Sequence, residues 1–324
     1  MKTKQCAAIT LVAVCAIGLP KAALAAPQTK TTFTQTEVAT FTSFGTVVTD
    51  GKSLLIMGAT AIGTTTESSD ERALGASMIT LSAAWDLHQL GPLWGSYHKV
   101  SPDGKGTWDG YFVGTNALNK DGKVVLTEVN VAVGGGSYQG LVLKKTGGRV
   151  GTSGPIYWTG YIVAGGPDDL PMRVHGSRVD RLQLIPGMLL DPQTLQPTGQ
   201  FGMLGLGSIV SGVAEATHLG RETETGVGLF DLTRSVSSSM GTVVAANGDL
   251  LYWVASSSDL PTGETSIAVH YAGGTGLMDD ATGGFSGTVM ETIKPTADPM
   301  IYLGTFSFAA SGKIRYSTPA TIRK

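Results

Sequence analysis

Cysteine is almost missing from this chain: Cys6 and Cys15 are its only two in 324 residues, and both fall within the first 26. Charge is sparse as well, at 15% of residues against roughly 25% in an average soluble domain. Lys+Arg 23 nearly balance Asp+Glu 25, and no basic run occurs, so the electrostatic footprint of a nucleic-acid binder is lacking. Aromatic residues supply only 7%. Beyond the N-terminus no apolar run approaches the ~18 residues of a membrane-spanning helix. What the chain has in abundance is glycine, 45 residues, about twice the usual share and without the three-residue period of collagen. An apolar fraction of 42% is ample for a core and excludes wholesale disorder.

Residues 1–25 read as a cleavable export signal. Lys2 and Lys4 provide the positive start, Ala7 to Leu19 the apolar centre, and Ala23-Leu24-Ala25 the small residues for cleavage. The apolar run is too short for a membrane anchor, and Val14 before Cys15 does not suit lipid attachment. Removal of this segment leaves no cysteine, and hence no disulfide, no thiolate nucleophile and no Cys-ligated metal site. The expected location is the periplasm or the extracellular medium. There a chain without disulfides depends on burial and backbone pairing.

The remainder is a succession of short β-like stretches such as LLIMGATAIG from Leu54, ASMITLSAAW from Ala76, VVLTEVNVAV from Val124 and TSIAVHYA from Thr265. Asp50-Gly51, Asp103-Gly104, Asp121-Gly122 and Asn247-Gly248 are turn pairs whose twist joins neighbouring antiparallel strands. An internal repeat is visible. GSYHKVSPDGKGTWDGYFVG from Gly95, a strand ending in a glycine run, and YWTGYIV are echoed by GTVVAANGDLLYWVASS from Gly241, TSIAVHYAGGTG and IYLGTFSF. The predicted fold is all-β, two tandem antiparallel up-and-down barrels, with one large barrel as the competitor. The first repeat is placed at 26–165, a linker or first-strand region at 166–199, and the second repeat at 200–324. Glycine suits the bent strands of a small closed barrel. An outer-membrane barrel would need lipid-facing apolar positions and aromatic girdles, which 7% aromatics and polar-interrupted strands do not supply.

Few residues carry chemistry. His88, His98, His175, His218 and His270 show no metal-ligand spacing, so no metal is expected, and no cofactor. GTSGP at Gly151 and GFSG at Gly284 fail the spacing of a nucleophile elbow, and Gly134-Gly135-Gly136 does not open a helix as a phosphate loop must. On the strand from Val124, valines alternate with a face carrying Leu126, Glu128, Asn130 and Ala132, and His270 sits among alanines in the same way. Half-buried strands ordinarily turn such a face to water and the valines to the core, and alternation alone favours that arrangement. The competing reading puts Glu128 and His270 inside two lumens, where desolvation would tune an acid–base group. His218 and Arg221 suit either an anion site or a rim turn bonded to backbone carbonyls, the latter being the commoner use. His98 lies beside Trp94 and Trp108, a candidate ligand contact or an aromatic cluster. Trp94, Trp108 and Trp253, with Trp85 and Trp158, would grip an apolar ligand or stack on a sugar if exposed, but such residues are more often core.

The segments GVAEATHLGRETETG from Gly212, AANGDLLYWV and HYAGGTGLMDDATGGFSG resemble a family of bacterial secreted proteins with an allene-oxide-cyclase-like (dirigent-like) barrel. The chain keeps Thr217-His218-Leu219-Gly220-Arg221, Ala246-Asn247-Gly248-Asp249 and Gly273-Gly274-Thr275-Gly276, and departs from the pattern at Leu277, Met278, Asp279 and Asp280. DERALGASMITLSAAWD, GPLWGSYHKV and GGGSYQGL in the first half are similar to a related set. The resemblance implies a barrel whose lumen holds a small apolar molecule; no catalytic residue is carried over from it. Sequence thus leads to an exported binding or structural barrel protein. A cyclase or isomerase using Glu128, His218 or His270, and a carbohydrate-binding module using tryptophans, are the alternatives.

Overall fold

Alternation of apolar and small polar residues, cut by Asx-Gly pairs, becomes a run of antiparallel strands. The computed structural model describes residues 30–164, 169–260 and 264–316; the segment read as an export signal and both cysteines lie outside them. The first half contains β1 (Thr31–Ser43), β2 (Thr46–Thr49), β3 (Ser53–Ser68), β4 (Gly75–Asp86), β5 (Gly91–Val100), β6 (Gly106–Leu118), β7 (Val124–Gly136), β8 (Leu141–Val150) and β9 (Ile156–Ala164). The second contains β10 (Leu170–Leu190), β11 (Pro197–Ala216), β12 (Gly220–Asp231), β13 (Val236–Val244), β14 (Leu250–Asp259), β15 (Thr265–Gly274), β16 (Thr282–Pro295) and β17 (Ile301–Arg315). All four Asx-Gly pairs lie between successive antiparallel strands. Gly51, Gly104, Gly122 and Gly248 take φ of 80°, 72°, 72° and 87°, where a Cβ would be strained.

Strands β3 to β9 pair in succession, and β1 pairs with both β3 and β9, closing an eight-stranded antiparallel barrel with no free edge. In the second half β10 to β17 pair in succession and β17 returns to β10. The short β2 pairs with β3 and with β10, so it straps one half to the other. Residues 170–190, within the region read as linker or first strand, form the strand β10.

Between the halves lies an apolar layer in which Trp94, Val48, Leu55, Ile185, Leu204 and Leu229 are buried. Trp94 Nε1 donates to Ser238 Oγ at 2.8 Å across it. Asp279 accepts from Tyr161 Oη at 2.6 Å and pairs with Lys144. Among the described residues no helix is long and apolar enough to cross a membrane.

Candidate functional site

The barrel of the first half is hollow. Its interior holds a cavity of about 310 Å³. The turn 69–74, containing the 3-10 segment Glu71–Ala73, closes one end, and Trp108 seals that floor, fully buried with Nε1 donating to the Arg72 carbonyl at 2.8 Å. The other end is the mouth, where Trp85, Gln89, Asn116 and Arg149 stand near the β4–β5, β6–β7 and β8–β9 turns. Leu81, Leu93, Phe112, Leu126 and Ile156 give the wall an apolar middle.

Below that middle the wall is charged. Lys145 Nζ donates to Glu37 Oε2 at 2.8 Å, and both side chains are almost wholly buried. Gln35 Nε2 and Ser77 Oγ donate to the same carboxylate. Gly63 makes room for it, since a Cβ there would stand 2.6 Å from Glu37 Oε1. Burial pulls the Glu37 carboxyl upward, but the charges of Lys145 and Lys99 with the hydrogen bonds outweigh it and hold Glu37 below the ordinary range. The Lys145 ammonium also lies 4.1 Å from the Trp158 ring centroid and 5.4 Å from that of Tyr97. Lys99, buried beneath, donates to Thr65 Oγ1 and the Ala73 carbonyl. Burial, then the charge of Lys145, lowers it to about 7, against the pull of Glu37.

Glu128 faces this cavity from β7. Burial raises its carboxyl to about 7; Glu37 adds to the rise, while Lys145, Asn130 and Arg149 oppose it. The arrangement favoured by alternation is therefore reversed for β7: Leu126, Glu128, Asn130 and Ala132 point inward, and Val131 is buried on the outer side. On the outer face Val131 is buried, Val125, Val129 and Val133 are half-buried and Thr127 is exposed, so the apolar content of a face does not tell which one is inside.

His270 is not inside a lumen. It stacks on Tyr111 of the first half, ring centroids 4.2 Å apart, because Ile267, Val269 and Tyr271 take the inward positions of β15. His98 lies on the outer surface with Nδ1 2.7 Å from Asp109. Trp94 faces the second half, and Trp108 is floor, so these three make no ligand cluster. His218, at the β11–β12 turn with φ 78°, places Nε2 3.2 Å from the Pro171 carbonyl, and Arg221 is exposed on β12. Trp253 lines the interior of the second half. Trp85 alone of the five tryptophans is half-buried, and it lines the first cavity, so there is no exposed indole row for a sugar.

The second interior is filled. Trp253, Tyr271, Phe285, Phe306 and Phe308, with Arg178 paired to Glu224, leave about 30 Å³, space for a water or two. Leu195, on the β10–β11 turn of this half, instead lines the first cavity at its mouth. That turn is fixed by Asp191, which accepts from the backbone of Gln193 and Thr194, and by Phe44 N–H donating to the Pro192 carbonyl at 2.7 Å.

Sequence reasoning placed Asn130 on the same face as Glu128 but missed Glu37, Tyr97, Lys99, Lys145 and Arg149. The available signal was sparse charge within largely uncharged or apolar strand segments: Glu37 and Glu128 against Lys99 and Lys145, two of each sign. Among the described residues no group of His, Cys, Asp or Glu is placed to hold a metal ion. No protein-family model, curated protein or solved structure matches this chain.

Proposed function

We propose that this chain is an exported binding protein, periplasmic or extracellular, whose first barrel holds a small apolar molecule in its lumen. The observation that carries the reading is the hollow interior: a cavity of about 310 Å³ with a mainly apolar middle and buried polar groups at one end, the make-up of a small-molecule site. The pairing of β17 back to β10 supports two tandem barrels. The repeat and the Thr217–Arg221 and Gly273–Gly276 segments support an allene-oxide-cyclase-like fold for them. In this reading the halves divide the work, the first hollow and the second solid, the latter bracing the mouth through Leu195.

The test is binding of the neutral fluorophore N-phenyl-1-naphthylamine. Wild-type protein is expected to bind it with enhanced emission, and Ala61→Trp, which projects an indole from the cavity wall, to abolish binding while remaining folded. Equal binding by both proteins would overturn the reading.

A cyclase or isomerase is the second reading, favoured by one feature. A carboxyl near 7 inside an apolar chamber is suited to give and take a proton at neutral pH. Any turnover found for an apolar substrate should then fall at least a hundredfold in Glu128→Gln; full retention would remove Glu128 from the mechanism.

A further inference from the structure

Five residues of the lumen wall keep a buried polar atom with no partner within the protein: Trp85 Nε1 and Arg149 Nε near the mouth and, in the charged end, the Tyr97 hydroxyl, Asn130 Oδ1 and Trp158 Nε1. The last three residues are 8%, 3% and 3% exposed. Buried polar atoms are nearly always hydrogen-bonded, because an unpaired one keeps its desolvation penalty.

The three residues are grouped around Lys145. Trp158 and Tyr97 flank the Lys145 ammonium with their rings, and Asn130 sits opposite Lys145 in the β7–β8 register. Tyr97 lies over Gly110, where a Cβ would collide with its ring and with Ala132, the next inward residue of β7 after Asn130. Lys145 is engaged by Glu37, and the Asn130 side chain bonds Glu128, leaving its carbonyl oxygen unpaired.

Chemistry then selects the head group. The indole N–H only donates, the amide oxygen only accepts, and the phenol does either. Tyr97 remains a phenol, since burial and then the charges of Glu37, Glu128 and Asp109 push its ionisation far upward. An aliphatic hydroxyl has one proton to give and two lone pairs to offer, which matches Asn130, Trp158 and Tyr97 one to one. A carboxylate has no proton for Asn130 and would face the Glu37 carboxylate. An ammonium would leave the indole unpaired beside Lys145, and an ether or ketone would leave Asn130 unpaired.

We infer that the molecule held in the first barrel is a neutral apolar alcohol, inserted hydroxyl first, with its oxygen among Tyr97, Asn130 and Trp158 and its hydrocarbon against Leu81, Phe112 and Ile156. The inference rests on the lumen being a binding site and adds the class of ligand. At ~30 Å³ for a water-sized group, 310 Å³ admits on the order of ten such groups.

Titration calorimetry of the full-length protein with 1-octanol, octyl methyl ether, octanoate and octylamine separates the two claims. Octanol is expected to bind at least tenfold tighter than each of the others. Tyr97→Phe and Asn130→Leu are each expected to cut that advantage at least threefold, with the ether held within twofold of its wild-type affinity. Ala61→Trp should abolish octanol binding. An ether or octanoate that equals octanol overturns the head-group inference and leaves the lumen reading standing. Failure of all four, together with failure of the naphthylamine probe, overturns both, as does octanol binding that survives Ala61→Trp.

Discussion

Lys145 and Glu37 form an ion pair at 2.8 Å inside the eight-stranded barrel of the first half, each under 10% exposed, with the ammonium also facing the ring of Trp158. Two charges withdrawn from water hold each other there, and neither is tolerable alone. Lys145→Met should therefore destabilise the protein by about 3–5 kcal/mol in urea unfolding at neutral pH. The double variant Lys145→Met with Glu37→Leu should recover much of that loss. A double variant no more stable than the single one would show that uncompensated charge is not the cause.

Stability should pass through a minimum near neutral pH. The Glu128 carboxyl rises from its ordinary 4.5 to about 7, so between those values the folded protein holds a proton that the unfolded chain has released. Stability thus declines as pH climbs through that window, by roughly 3 kcal/mol for the full swing. Glu222 and Asp180 of the second half, raised chiefly by burial to about 7 and about 6, act in the same direction. Lys99, lowered from 10.5 to about 7, works oppositely: above pH 7 the unfolded chain holds the extra proton, and stability recovers toward 10.5. Glu128→Gln should flatten part of the acid limb and Lys99→Met the alkaline limb. Identical pH curves of urea midpoint for wild type and Glu128→Gln would refute the assignment.

Leu195 combines a left-handed backbone, φ 57°, with a side chain over the mouth of the other half's cavity. Glycine relieves the backbone and deletes the cover. Leu195→Gly is expected to change stability by no more than about 1 kcal/mol, since the two effects oppose. Release of the naphthylamine probe in stopped-flow should accelerate at least several-fold. An unchanged release rate would mean that the turn is not a gate.

Trp94, fully buried, ties the halves by its bond to Ser238. Trp94→Ala removes that bond and leaves a hole in the shared apolar layer, with an expected loss of about 3–5 kcal/mol. Scanning calorimetry should show one transition in wild type and two in the variant. Two transitions already in wild type would show that the interface does not couple the halves.

Much of the fold was legible in particular residues. Asp103-Gly104 and Asn247-Gly248 fix hairpins because a positive φ is written into the glycine. The strand from Val124 is β-branched and alternating, and it is β7. The site was less legible. Glu128 was singled out by its alternation, yet the same pattern placed His270 beside it in expectation, and the two ended on opposite kinds of surface. Local periodicity gives two faces and no label for either.

The linear chain by itself determined that strands form, where they turn, and that they pair without cysteine, because those properties depend on neighbours within a few residues. Closure decided the rest. Only when β1 met β9 did Glu37 come within reach of Lys145, 108 positions away along the chain. Only packing of whole side chains decided that one interior is filled by Trp253, Phe285 and Phe306 while the other stays hollow under Leu195. Burial and field are sums over distant residues, so the chemistry of Glu128 belongs to the tertiary structure.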